Sequence, residues 1–127
     1  AMFEVRVEAE FAAAHFLKDY HGKCENLHGH NYAVFAHARG KSLDEGGMLI
    51  DFSQLKKELR LICSVLDHTN LNDLPEFAQN PSAERIAYYI YTHLYNELQK
   101  ISHLYAECLY AVDVYETPTS RARYIKD

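Results

Sequence analysis

The chain has no tryptophan and only three cysteines in 127 residues. Cys24, Cys63 and Cys108 are too few and too irregularly spaced for a disulfide framework. Reduced thiols and a cytoplasmic setting are therefore expected. No apolar run approaches the ~20 residues that span a bilayer. The opening Ala1-Met2-Phe3-Glu4 lacks the basic and apolar regions of a signal peptide. An excess of positive charge is missing too. The net charge is -5, which argues against a general nucleic-acid binder, because phosphate binding needs a clustered positive surface. There is no internal repeat, low-complexity segment or linker, so one domain covering residues 1–127 is expected.

What is present is strand and helix periodicity. Phe3, Val5 and Val7 alternate with Glu4, Arg6 and Glu8, predicting a strand over residues 3–13 with one solvated face. Tyr32, Val34 and Phe35 place a second strand over residues 30–39. Asp51 is a candidate N-cap, with Gln54 placed to complete a capping box. Leu55, Leu59, Ile62 and Leu66 follow at helical spacing, and this helix should end near Asp67. Residues 69–81 are polar, contain two prolines and read as a connecting loop. Ser82 can cap a second helix, whose apolar stripe is Ala83, Ala87, Ile90, Leu94, Leu98 and Ile101. Residues 104–116 read as a strand, and residues 120–126 as a last short one. The order β-β-α-α-β-β predicts an α+β fold, a four-stranded antiparallel sheet with two helices on one face. So short a sheet has open edges, which proteins often pair between subunits.

The chemistry concentrates in Cys24-Glu25-Asn26-Leu27-His28-Gly29-His30. Side chains alternate along a strand, so His28 and His30 project from one face. His15, on a neighbouring strand, can complete a three-nitrogen site with an open fourth position, the pattern of catalytic zinc. A nitrogen-only donor set favours Zn over Mg or Ca. The competing reading is three ordinary hydrogen-bonding histidines. Cys24 lies in a polar stretch, where Lys23 and a metal cation would lower its pKa and make it a base or nucleophile. Cys63 sits on a helical stripe and Cys108 in the predicted third strand; both read as small buried hydrophobes. Asp67-His68 is a carboxylate beside an imidazole, either a relay pair or a helix end with its dipole-facing histidine. Glu116 is either an exposed strand end or an acceptor for an amidine-like ring edge. Lys18, His21 and Lys23 are phosphate candidates, or simply solvated charges.

These stretches together resemble the 6-pyruvoyl-tetrahydropterin synthase and 6-carboxy-tetrahydropterin synthase family. The resemblance runs through Phe11-Ala12-Ala13-Ala14-His15, the segment 24–32, Gly47-Met48-Leu49-Ile50-Asp51-Phe52, Leu66-Asp67-His68-Thr69-Asn70-Leu71-Asn72, Asn80-Pro81-Ser82-Ala83-Glu84 and Val114-Tyr115-Glu116-Thr117. It implies a tunnelling fold, in which subunits join their sheets into a barrel, commonly as a homo-hexamer of two trimers with sites at subunit interfaces. It implies Zn on His15, His28 and His30, a catalytic Cys24, and Asp67 and His68 as its relay. Glu116 becomes the pterin anchor, with the backbone of Ser82 and Ala83 against the ring. The implied substrate is 7,8-dihydroneopterin triphosphate.

The short spacing from Cys24 to His28 resembles the queuosine branch. That branch forms 6-carboxy-5,6,7,8-tetrahydropterin, acetaldehyde and triphosphate. The biopterin branch instead forms 6-pyruvoyl-tetrahydropterin. Glu25 resembles a third branch, which forms 6-hydroxymethyl-dihydropterin for folate synthesis and usually has Glu in place of the Cys; its other reading is a bystander loop carboxylate. A non-catalytic Zn-containing pterin-binding protein is the alternative outside enzymology.

Overall fold

The structure is a computed structural model that describes all residues of the chain except Cys24 and Gln79. Two long strands dominate it, β1 (Phe3–His15) and β2 (His28–Gly40). They pair antiparallel without a break, from Phe3 opposite Gly40 to His15 opposite His28. Along β1, Val7, Ala9, Phe11, Ala13 and His15 are buried while Glu4, Glu8 and Glu10 are exposed. This is the predicted alternation, and it continues two residues further than expected.

The chain continues through α1 (Phe52–Leu66), β3 (Thr69–Asn70), α2 (Ala83–Ile101), α3 (His103–Cys108), β4 (Leu109–Thr117) and β5 (Ser120–Ile125). The sheet order is β3-β1-β2-β4-β5. Helices α1 and α2 pack on the face that carries Val7, Phe11, Tyr32, Val34, Val112 and Val114. Leu55, Leu59 and Leu66 of α1 and Ile90, Leu94 and Leu98 of α2 are fully buried there. Truncating any one of these to alanine should cost about 2–5 kcal/mol. No helix of the described residues is long and apolar enough to cross a membrane.

Four expectations change. The segment 69–81 is not a plain loop. Thr69 and Asn70 pair parallel to Ala13 and Ala14, adding a fifth strand, and 3-10 turns follow at Leu71–Asp73 and Pro75–Phe77. Leu71 and Phe77 are buried and anchor those turns, so tertiary packing overrides the local polarity. Residues 104–116 are not one strand. Ser102 adopts an extended conformation that ends α2, and its side chain accepts the Tyr105 N–H to start α3. Cys108 is therefore the last residue of a helix rather than part of a strand. The capping box is not made: Asp51 accepts from Ser53 N, but Gln54 turns to Glu58. On α2 the buried stripe includes Ile86 and Tyr91, whereas Ile101 is exposed past the last packed turn.

The helix-free face holds its own polar cluster. Asp113, 3% exposed, lies 2.8 Å from His37 Nε2 and accepts two hydrogen bonds from Arg123, at 2.6 and 3.0 Å.

Candidate metal centre

The β1–β2 register places His15 directly opposite His28, and His30 two residues along the same face. One ring nitrogen from each of the three imidazoles lies within 4.8 Å of the others, a group able to hold a metal ion. Two of the rings have their tautomers fixed by backbone carbonyls. His15 Nδ1 donates to Pro81 O at 2.9 Å, and His28 Nδ1 donates to Asn26 O at 2.8 Å. Both bonds leave Nε2 as the unprotonated donor, the outer-shell arrangement typical of zinc histidines. His30 Nε2 is buried and has no hydrogen-bond partner among the described residues. Burial lowers the His30 pKa, against an opposing pull from Glu116, and favours the neutral form a metal needs. Three nitrogen donors that converge on one point fit Zn2+ with an open fourth position.

Glu116 stands beside this cluster, with Oε2 3.6 Å from His30 Nε2. The β4–β5 register shifts between Tyr115 and Thr117, so Glu116 sits at a β-bulge. By strand alternation Glu116 shares the face of Val112 and Val114, on which the imidazoles also lie. Tyr32 lies beneath them. Its ring stacks on Phe11 at 4.7 Å and meets the His30 and His15 rings edge-on at 5.4 and 6.0 Å. Burial, with a further push from the Glu116 charge, holds its phenol well above the usual tyrosine range.

Asp67 and His68 do form a pair, His68 Nδ1 to Asp67 Oδ2 at 2.8 Å. The pair is docked on the edge of β1. Asp67 Oδ1 accepts the Ala12 N–H at 2.8 Å, and the His68 N–H donates to Ala12 O at 2.6 Å. The Ala12 and His68 hydrogen bonds hold the Asp67 carboxyl below its usual range. To make both contacts His68 takes a φ of 58°, a conformation non-glycine residues rarely adopt. Its imidazole is 82% exposed. It borders an open depression with Ala12, Ala14, Gly29 and Asn31, which Ala13 and His30 of the imidazole face also line. By strand alternation the side-chain positions of those four point away from the imidazole face. Among the described residues, no ring contact joins His68 to the three histidines.

Ser82 caps α2, accepting from Arg85 N at 3.2 Å, and is half-buried like Ala83. Both follow Pro81, so the His15–Pro81 bond sets the start of α2 against the imidazoles. Cys24 lies outside the described residues. Its neighbour Glu25 is tied to Leu17 twice: its carboxylate accepts the Leu17 N–H at 3.1 Å, and its own N–H donates to Leu17 O at 2.9 Å. Lys18, His21 and Lys23 have exposed side chains. Cys63 is buried in the core, and burial pushes its thiol up to about 12. Burial also raises the Cys108 thiol.

Two site-supporting residues escape sequence reasoning. Asn72 accepts from Phe16 N and donates to Phe16 O, at 2.9 and 3.0 Å. Asn80 does the same with Lys18, at 2.7 and 2.8 Å. Each amide mimics a strand neighbour and fixes the chain leaving His15. Their positions beside Leu71 and Pro81 give no local signal for partners so distant in sequence.

The family model described as 6-pyruvoyl tetrahydropterin synthase matches residues 4–127. The 6-carboxy-5,6,7,8-tetrahydropterin synthase of Bacillus subtilis is 37% identical, over 96% of this chain and 84% of its own. The human 6-pyruvoyl tetrahydrobiopterin synthase is also 37% identical, over 95% of this chain and 90% of its own. The solved structure of Caenorhabditis elegans 6-pyruvoyl tetrahydropterin synthase superposes with a TM-score of 0.82 at 30% identity, covering 100% of this chain and 97% of that one.

Proposed function

Because the chain belongs to the 6-pyruvoyl tetrahydropterin synthase family, we propose that it is a Zn-dependent 6-carboxy-5,6,7,8-tetrahydropterin synthase. Its substrate is 7,8-dihydroneopterin triphosphate. Its products are 6-carboxy-5,6,7,8-tetrahydropterin, acetaldehyde and triphosphate, formed in the cytoplasm on the route to queuosine. The observation that carries this reading is the convergence of His15, His28 and His30 within 4.8 Å, with two tautomers already fixed.

Zn2+ on those imidazoles supplies Lewis acidity for the hydroxyls of the substrate side chain. Glu116 accepts paired hydrogen bonds from the 2-amino and N3 edge of the pterin and so sets where the side chain falls. The backbone of Ser82 and Ala83 lies against the ring. Cys24 moves a proton at the side-chain carbons, and His68, oriented by Asp67, serves as the complementary acid or base. The Asp67–His68 pair is docked on the β1 edge at Ala12, and among the described residues no ring contact joins His68 to the three imidazoles. That separation supports a homo-oligomer, a hexamer in this reading, in which one subunit's pair serves a neighbour's metal. The pair also weighs against a binding protein without catalysis, which has no use for a strained, docked imidazole.

Sequence identity does not separate the carboxy and pyruvoyl products, since both kinds of relative stand at 37%. The short Cys24–His28 spacing favours the carboxy product. The folate-branch reading needs Glu25 free to act. Its carboxylate instead accepts the Leu17 N–H, which supports a bracing role.

The test is to incubate zinc-loaded protein with 7,8-dihydroneopterin triphosphate and separate the products by mass spectrometry. The expected result is 6-carboxy-tetrahydropterin with acetaldehyde. Unchanged substrate would remove the enzyme reading, and 6-pyruvoyl-tetrahydropterin or 6-hydroxymethyl-dihydropterin would move the protein to another branch. Cys24→Ala should retain zinc and lose turnover.

A further inference from the structure

Two buried side-chain polar atoms among the described residues have no hydrogen-bond partner, His30 Nε2 and Tyr32 Oη. Both flank Glu116. In the β2–β4 register Val34 stands opposite Val114 and Ala33 opposite Tyr115, which brings Tyr32 next in line with Glu116. Directly opposed residues have Cβ atoms ~5 Å apart, within reach of a phenol and a carboxylate. The Glu116 carboxylate leans along β2 instead, to 3.6 Å from His30 Nε2, too far for a hydrogen bond. A carboxylate has about four acceptor sites, so this one has capacity to spare.

The Tyr32 ring is held in place. It lies nearly parallel to Phe11, at 13°, and edge-on to two of the imidazoles. Its residue is 0% exposed, so bulk water does not satisfy the hydroxyl. At 3.6 Å His30 Nε2 makes no hydrogen bond to Glu116, and the Tyr32 hydroxyl, a donor by nature, is the other buried polar atom without a partner.

We propose that Tyr32 is a positioning residue for the pterin anchor, its hydroxyl donating to Glu116 and fixing the carboxylate plane that receives the ring edge. The inference rests on Glu116 holding the pterin. It concerns binding geometry and adds no chemical step.

Tyr32→Phe keeps the ring and its contacts and removes only the donor. Zinc-loaded wild type, Tyr32→Phe, Glu116→Ala and the double variant are compared for neopterin binding by fluorescence, zinc affinity by chelator competition, and steady-state kinetics. Tyr32→Phe should keep wild-type zinc affinity and circular dichroism. It should weaken neopterin binding about threefold to tenfold and raise KM by a similar factor with a smaller change in kcat. In the Glu116→Ala background the substitution should have no further effect. Wild-type neopterin affinity in Tyr32→Phe overturns the proposal, and so does an equal loss with and without Glu116, which marks a structural role or a buried water as the partner. Loss of zinc affinity in Tyr32→Phe also overturns it, because the hydroxyl then serves the metal. If Glu116→Ala alone leaves neopterin binding unchanged, the anchor role itself fails and this inference with it, an outcome separate from any effect of Tyr32.

Discussion

The imidazole of His15 and the carbonyl of Pro81 meet at 2.9 Å across 66 positions of sequence. The bond ties the last residue of β1 to the residue just before the α2 cap. It also decides which His15 nitrogen is left for a metal. His28 has the same chemistry with a partner only two residues away, at an exposed position. One hydrogen bond is tertiary and the other local, so the two histidines carry different structural weight.

If the proposed zinc site is right, replacing either histidine by alanine should abolish stoichiometric zinc, measured by mass spectrometry of the purified protein. Only His15→Ala should also destabilise the metal-free protein. His15 is 2% exposed, and losing its packing and the Pro81 bond should cost about 2–3 kcal/mol. His28→Ala should cost less than about 1 kcal/mol. Urea unfolding of the chelated proteins checks the difference, and equal losses would show that the His15–Pro81 bond does not hold α2.

The Asp67 carboxylate has two tasks, accepting the Ala12 N–H and orienting His68. Asp67→Asn keeps an acceptor for Ala12 but loses the charge. It should fold with near-native stability and lose about 10²–10⁴ in kcat, the usual range for general acid–base catalysis. Asp67→Ala should show the same kinetic loss together with a lower melting temperature. A fully active Asp67→Asn would exclude the relay role.

Legibility in the sequence followed periodicity. The alternation at Val5 and Val7 located β1, and the spacing of Leu55, Leu59, Ile62 and Leu66 located α1, because both patterns record a buried face. His28 and His30 were readable as a pair for the same reason. What was missed depends on contacts between distant residues. The strand at Thr69–Asn70 exists because β1 offers an edge beside it. The helix at His103–Cys108 follows from Ser102 closing one helix and opening the next. The polar cluster around Asp113 joins three strands, and no local pattern marks it.

The paired amides of Asn72 and Asn80 lead to a third test. Each closes two hydrogen bonds on the chain that leaves His15, at Phe16 and Lys18. Replacing either by alanine should cost about 1–2 kcal/mol, since both partners lose a bond at partly exposed positions. The stronger readout is local. Amide exchange at Phe16 should accelerate in Asn72→Ala and at Lys18 in Asn80→Ala, with exchange in the centre of β1 unchanged. A uniform acceleration across β1 would mean that the asparagines act on global stability rather than on this segment.

Acid stability supplies the last test, through Asp113. Burial pushes its carboxyl up, but hydrogen bonds from Arg123 and His37 outweigh this and leave it below its ordinary value of 3.8. In acid the folded state therefore binds fewer protons at this site than the unfolded state. The stability it contributes is present above the ordinary carboxyl value and is lost as pH falls through the lower, folded one. Asp113→Asn removes the charge and leaves Arg123 without its counter-ion on the helix-free face. At pH 7 the variant should be less stable by about 2–3 kcal/mol, discounted from a fully buried pair because Arg123 is partly exposed. The gap between wild type and variant should narrow below about pH 4 as the wild-type carboxyl takes up its proton. Urea midpoints of both proteins at pH 7, 5 and 3 decide the matter, and a gap that stays constant across that range would place the stabilising charge elsewhere.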